Sequence, residues 1–155
     1  MKALLVYFSQ FGNTQKVAQA VAEGLEPAAS VRVIGAERLS VPELDGIDLL
    51  VMGSPAHRMN LPEAVRPVLA QLPRHSLHGK WVAAFDTSYK MSRWLAPFTA
   101  ARKLARQLRK LGGRQAAGPE TFHVQGKEGP LYDGELVRAG AWARAVLKRA
   151  GGEGG

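Results

Sequence analysis

Apolar residues run unbroken from Ala3 through Leu4, Leu5, Val6 and Tyr7 to Phe8. That is the pattern of a strand covered on both faces, as in a parallel sheet. Comparable runs recur as Leu49-Leu50-Val51-Met52 and Trp81-Val82-Ala83-Ala84-Phe85. The pattern predicts strands near 2–8, 30–34, 48–53, 80–86 and 121–124, the last with an irregular lead-in at 116–120. Between the strands the apolar spacing changes to helical. Val17, Ala18, Val21, Ala22 and Leu25 make one stripe, and helices are predicted near 13–25, 61–72, 97–111 and 134–149. A short turn or helix fills 41–46. Pro62 sits at a helix start and Gly112-Gly113 just past a helix end, where those residues suit the backbone. Strands alternating with helices over short loops read as βαβ units with right-handed crossovers. At 155 residues the chain is read as one domain over 1–150, with 151–155 a flexible glycine-rich tail.

The segment Ser9-Gln10-Phe11-Gly12-Asn13-Thr14 lies where the first strand passes into the first helix. Such a loop offers free N–H groups and the positive end of a helix dipole, which together favour an anion, most often a phosphate. Ser9, Asn13 and Thr14 add side-chain donors, and Gly12 permits a tight turn. The loop has no lysine and no Gly-Lys-Ser/Thr, which argues against a nucleoside triphosphate. It also lacks Gly-x-Gly-x-x-Gly, against a dinucleotide. Seen alone, the hexapeptide is equally well a polar turn.

Ser-x-x-Gly-Asn-Thr after a first strand resembles the phosphate loop of flavodoxins. Further segments resemble that family in the same order: 49–55 its third strand and following loop, 81–87 its fourth. Glu128-Gly129-Pro130-Leu131, followed by Gly134-Glu135-Leu136, resembles the entry to its last helix. The resemblance covers about 2–148. It implies an α/β three-layer sandwich, with a five-stranded parallel sheet of order 2-1-3-4-5 and helices on both faces. In that order the ligand crevice lies between the first and third strands.

Three loops meet there, and the resemblance implies FMN as the cofactor. Ser9, Gln10, Phe11, Gly12, Asn13 and Thr14 would hold the phosphate, with the Ser9 and Thr14 hydroxyls donating to it. Ser54, Pro55, Ala56, His57, Arg58 and Asn60 would flank the ring on one side, and Asp86, Thr87, Tyr89 and Trp94 on the other. Tyr89 or Trp94 is expected to stack on the ring, core packing being the alternative. His57 stands where the family commonly has an aromatic, and Phe11 where it has a small hydroxyl residue. No glycine lies between Gly53 and Gly79 to allow the peptide flip that stabilises the one-electron state in many flavodoxins; Asn60 is the nearest residue tolerant of left-handed backbone. Arg58, Lys90 and Arg93 replace the usual acidic surroundings, so the flavin potential is expected to be less negative than in an acidic relative.

The chain carries a net charge of +8 and no cysteine. Absence of cysteine excludes disulfides, zinc–cysteine sites and iron–sulfur clusters. His75-x-x-His78 is a weak metal signal, read as solvated loop histidines. No apolar stretch is long enough to span a bilayer and no secretory signal opens the chain, so a cytoplasmic location is expected. Between 64 and 119 the only acidic residue is Asp86 among many basic ones. Arg102, Lys103, Arg106, Arg109 and Lys110 fill one face of the 99–111 helix. That face is either a solvated surface or a docking site for an acidic redox partner. No aromatics alternate with the charges, which argues against nucleic acid. The leading expectation is an FMN-binding electron-transfer protein. An FMN-dependent NAD(P)H:quinone-type reductase on the same fold is the alternative, and a non-flavin phosphate-sensing or interaction module represents a different class.

Overall fold

The computed structural model describes residues 1–56, 60–90 and 98–154. Elements follow in the order β1 (Lys2–Tyr7), α1 (Asn13–Leu25), β2 (Ser30–Gly35), β3 (Leu49–Pro55), α2 (Val65–Ala70), β4 (Trp81–Ser88), α3 (Ala100–Lys110), β5 (Arg114–Gln115), β6 (Glu120–His123) and α4 (Glu135–Gly154). Two 3-10 turns, Ala36–Arg38 and Val41–Leu44, join β2 to β3. The sheet is parallel, in the expected order β2-β1-β3-β4-β5, and β6 also pairs with β4.

β4 explains why the fifth position is split. Its edge towards β3 is paired from Trp81 to Thr87, so β5 and β6 must share the other edge. Val82 pairs with Gln115 and Phe85 with Glu120. Two residues therefore separate the pairs on β4 and four separate them on the partner, which bulges away between its two pieces.

Period-two alternation distributes the apolar runs between two cores. Ala3, Leu5, Val51, Ala83 and Phe85 pack towards α1 and α4. Leu4, Val6, Leu50, Met52, Val82 and Ala84 join the core that holds Leu104 and Leu108 of α3. In the first core Phe85, Phe122 and Trp142 form an edge-to-face triangle with centroids 5.9, 5.9 and 6.2 Å apart. The triangle ties β4, β6 and α4 together.

At three helix ends the departure from expectation has an identifiable reason. α2 begins at Val65 because Pro67 has no N–H to give the Glu63 carbonyl; that carbonyl takes the Arg66 N–H in a tighter turn. α3 begins at Ala100, where Thr99 Oγ1 accepts the Arg102 N–H. α4 continues through Gly154, although 151–155 reads as a tail. Glycine lowers helix propensity without itself ending a helix.

Candidate functional site

The site grows from the carboxyl ends of β1, β3 and β4 and from the chain after β6. A cavity of about 640 Å³ lies there. Of the expected residues it is lined by Gln10, Phe11, Asn13, Thr14, Pro55, Ala56, Asn60, Thr87 and Tyr89. Ser88, Val124 and Lys127 also line it, and sequence reasoning did not select them. His57, Arg58 and Trp94 lie outside the described residues, as does Arg93.

The first loop presents several hydrogen-bond donors. Gly12 adopts φ 87°, and a Cβ there would meet nothing within 4 Å, so backbone conformation alone is what favours glycine. Its N–H donates to Ser9 Oγ at 3.0 Å, which leaves the Ser9 hydroxyl hydrogen available to a ligand. α1 starts at the next residue, and the N–H groups of its first turn have no intrahelical acceptor. Thr14 Oγ1 lies 2.9 Å from Thr87 Oγ1, both nearly buried. One hydroxyl donates to the other, and the pair keeps one hydrogen for an outside acceptor. The donor set of Ser9, Thr14, Thr87 and helix N–H groups fits the single terminal phosphate of FMN. Phe11 and Tyr89, 41% and 52% exposed, supply apolar surface at the mouth for a flat ring.

Three expected contacts take other roles. The Asn13 side chain donates to Glu128 O at 3.1 Å, so it fastens the chain after β6 to α1 instead of offering that hydrogen to the phosphate. Ser54 and Asp86 are fully buried and do not line the cavity. They pair side by side in β3 and β4, on the face that carries α3, because both strands run two residues beyond their expected ends. Ser54 Oγ donates to Pro55 O at 2.8 Å. Asp86 Oδ2 accepts the Ala101 N–H at 2.8 Å, in the first turn of α3, while Oδ1 has no hydrogen-bond partner. Burial pushes the Asp86 carboxyl up to about 6, against the lowering pull of the Thr121 hydroxyl and the Ala101 N–H; Glu120 adds to the rise. Asn60 does not have left-handed backbone; among the described non-glycine residues only His75 does.

Charge around the mouth is basic. Lys90 sits over the Tyr132 ring, 4.1 Å from its centroid. Lys103 Nζ donates to Asn60 Oδ1, so α3 touches the cavity rim directly rather than lying remote from it. Behind the site, the Glu135 carboxylate accepts the His123 N–H at 2.6 Å and pairs with Arg138. Burial works to raise Glu135, yet Arg138 and the His123 N–H outweigh it and hold the carboxyl below its ordinary value. Burial likewise lowers His123, with Glu135 opposing. Among the described residues no cluster could hold a metal ion, and no helix is long and apolar enough to cross a membrane.

Comparison with known proteins agrees with this architecture. No curated protein matches the chain. In fold it is similar to oxidised flavodoxin 2 from Bacillus cereus, at 20% identity and TM-score 0.79, over 96% of this chain and 99% of that one. A flavodoxin from the domain Archaea gives 21% identity and TM-score 0.75, over 97% and 99%. Rubredoxin oxygen:oxidoreductase from Desulfovibrio gigas gives 19% identity and TM-score 0.76, over 98% of this chain and 36% of that one. A family model, Flavodoxin, matches residues 5–142. With that match over most of its length, the chain belongs to the flavodoxin family, proteins that bind FMN and act with redox partner proteins.

Proposed function

We propose that the protein is a cytoplasmic electron carrier that holds FMN in this cavity and docks an acidic partner across the cavity mouth and the basic face of α3. The flavin, when bound, supplies the electron-accepting and electron-donating chemistry. The chain holds and orients it. Ser9 and one hydroxyl of the Thr14–Thr87 pair donate to the phosphate, together with backbone N–H groups in the first turn of α1. Pro55, Ala56 and Asn60 border one side of the ring, and Ser88 and Tyr89 the other, with Tyr89 available to stack.

The contact between Lys103 and Asn60 carries the docking part of this reading. It makes the basic face continuous with the rim through which electrons would pass. Arg102, Arg106, Arg109 and Lys110 are exposed along the same helix. Asp86, the one acidic residue between 64 and 119, is buried, so the outer surface of that stretch bears no carboxylate. A single-sign surface steers encounter with the opposite charge.

Stopped-flow electron transfer from the reduced protein to an acidic partner, across a salt series, tests the proposal. The association rate is expected to fall steeply as the screening length shortens to about 10 Å at 0.1 M salt. Lys103→Glu and Arg106→Glu are expected to slow it further. A rate indifferent to salt and to charge reversal refutes the docking surface. Steady turnover of a reduced nicotinamide with a quinone would replace the carrier by a reductase.

A further inference from the structure

After β6 the chain doubles back in a small hairpin over 124–131. Val124 and Leu131 form an antiparallel bridge. The Gln125 N–H donates to Pro130 O at 2.8 Å, and the Gly129 N–H to Gly126 O at 3.0 Å. The tip is fastened to α1 through Asn13, whose Nδ2 donates to Glu128 O. Gly129, at φ 101°, approaches so closely that a Cβ there would fall 2.6 Å from Asn13 Oδ1. Asn13 is the first residue of α1, so Lys127, next to Glu128, stands beside the anion-binding turn. Lys127 lines the cavity, and it is the only Lys, Arg, Asp or Glu among the described residues that does.

We infer that Lys127 is the ionic arm of the phosphate site, reaching the terminal phosphate of FMN from the hairpin side. The inference rests on the reading of this cavity as the FMN site. All other donors at the turn are hydroxyls, side-chain amides and backbone N–H groups, without formal charge. A phosphate monoester carries between one and a half and two negative charges at neutral pH, by analogy with phosphorylated side chains. A lysine ammonium suits it as a point charge with three rotatable donors, and no planar fork is needed. Asn13 spends one of its two amide hydrogens on holding the hairpin, and what the hairpin presents in return is a cation. Lys127 therefore selects FMN over riboflavin, which has the same ring and ribityl chain but no phosphate.

The flavin-free protein is titrated with FMN and separately with riboflavin, following quenching of flavin fluorescence, at low and high salt. For Lys127→Gln the FMN Kd is expected to rise about tenfold or more, the size of a lost hydrogen bond to a charged group. Riboflavin affinity is expected to stay unchanged, and the salt dependence of FMN binding to flatten. Lys127→Arg is expected to recover most of the loss, which a purely structural role of the hairpin tip would not produce in an FMN-selective way. Equal loss for both flavins, or no loss for either, overturns the inference. Wild-type protein that binds neither flavin refutes the FMN reading itself, a result distinct from either.

Discussion

Replacing Asp86 with Asn should shift relative stability in favour of the variant as pH rises from acid to neutral. Asp86 has no exposed surface, and its carboxyl titrates at about 6 in the fold against an ordinary value of 3.8. Below pH 3.8 both folded and unfolded chains hold the proton. Between 3.8 and about 6 only the folded chain holds it, so stability falls as pH rises, and above 6 the full cost remains. Raising the carboxyl from 3.8 to about 6, at 1.36 kcal/mol per pH unit, corresponds to roughly 3 kcal/mol. Asn keeps an oxygen for the Ala101 N–H and cannot ionise, so it escapes that cost. Urea denaturation of the flavin-free wild type and Asp86→Asn at pH 4, 5, 6, 7 and 8 measures the effect. Other carboxylates titrate in both proteins and cancel in the difference. That difference should grow in favour of Asn from pH 4 to about 6 and then level off. A difference independent of pH, or one that grows in the opposite direction, would refute the reasoning.

Three further expectations concern the cavity and the core. Ser9→Ala and Thr14→Val should each weaken FMN binding by roughly 1.5–3 kcal/mol in fluorescence titrations, the range for hydrogen bonds to a charged group. Because Thr14 and Thr87 share a hydrogen bond, Thr14→Val and Thr87→Val should combine non-additively; strict additivity would show that the pair does not act together. Trp142→Ala should destabilise the fold by about 3–5 kcal/mol in urea, since it empties one corner of the aromatic triangle and removes the indole N–H donated to Gly118 O at 3.0 Å.

Most strands and helices are legible because each rests on a local pattern of apolar spacing, whereas the sheet order came from the family resemblance. Runs such as Leu49-Leu50-Val51-Met52 declare a strand covered on both faces. Two of the expected site residues went astray at strand ends. Ending β4 at 86 made Asp86 the last strand residue, at the start of a loop whose side chains can face a ligand. With β4 continuing to Ser88, alternation carries Val82, Ala84 and Asp86 to the α3 face and Ala83, Phe85 and Thr87 to the α1 face. Ser54 fails in the same way, one strand over. The alternation was available in the sequence; the polar residues hid it, because a buried Asp or Ser looks like the end of a strand. Lys127 had no such signal. Its relevance depends on a contact between Asn13 and Glu128, 115 positions apart in the chain, which no local pattern encodes.

The bulged fifth position also bears on how the molecule meets its own kind. An open sheet has two flanks whose unpaired backbone groups can recruit a strand from another chain. Here one flank is β2, with Arg32 exposed at its middle and paired to Glu43. The other is broken into pieces of two and four residues. A charged strand on one side and an interrupted one on the other offer no long, flat template for strand addition. Strand addition at either flank of the sheet is therefore disfavoured.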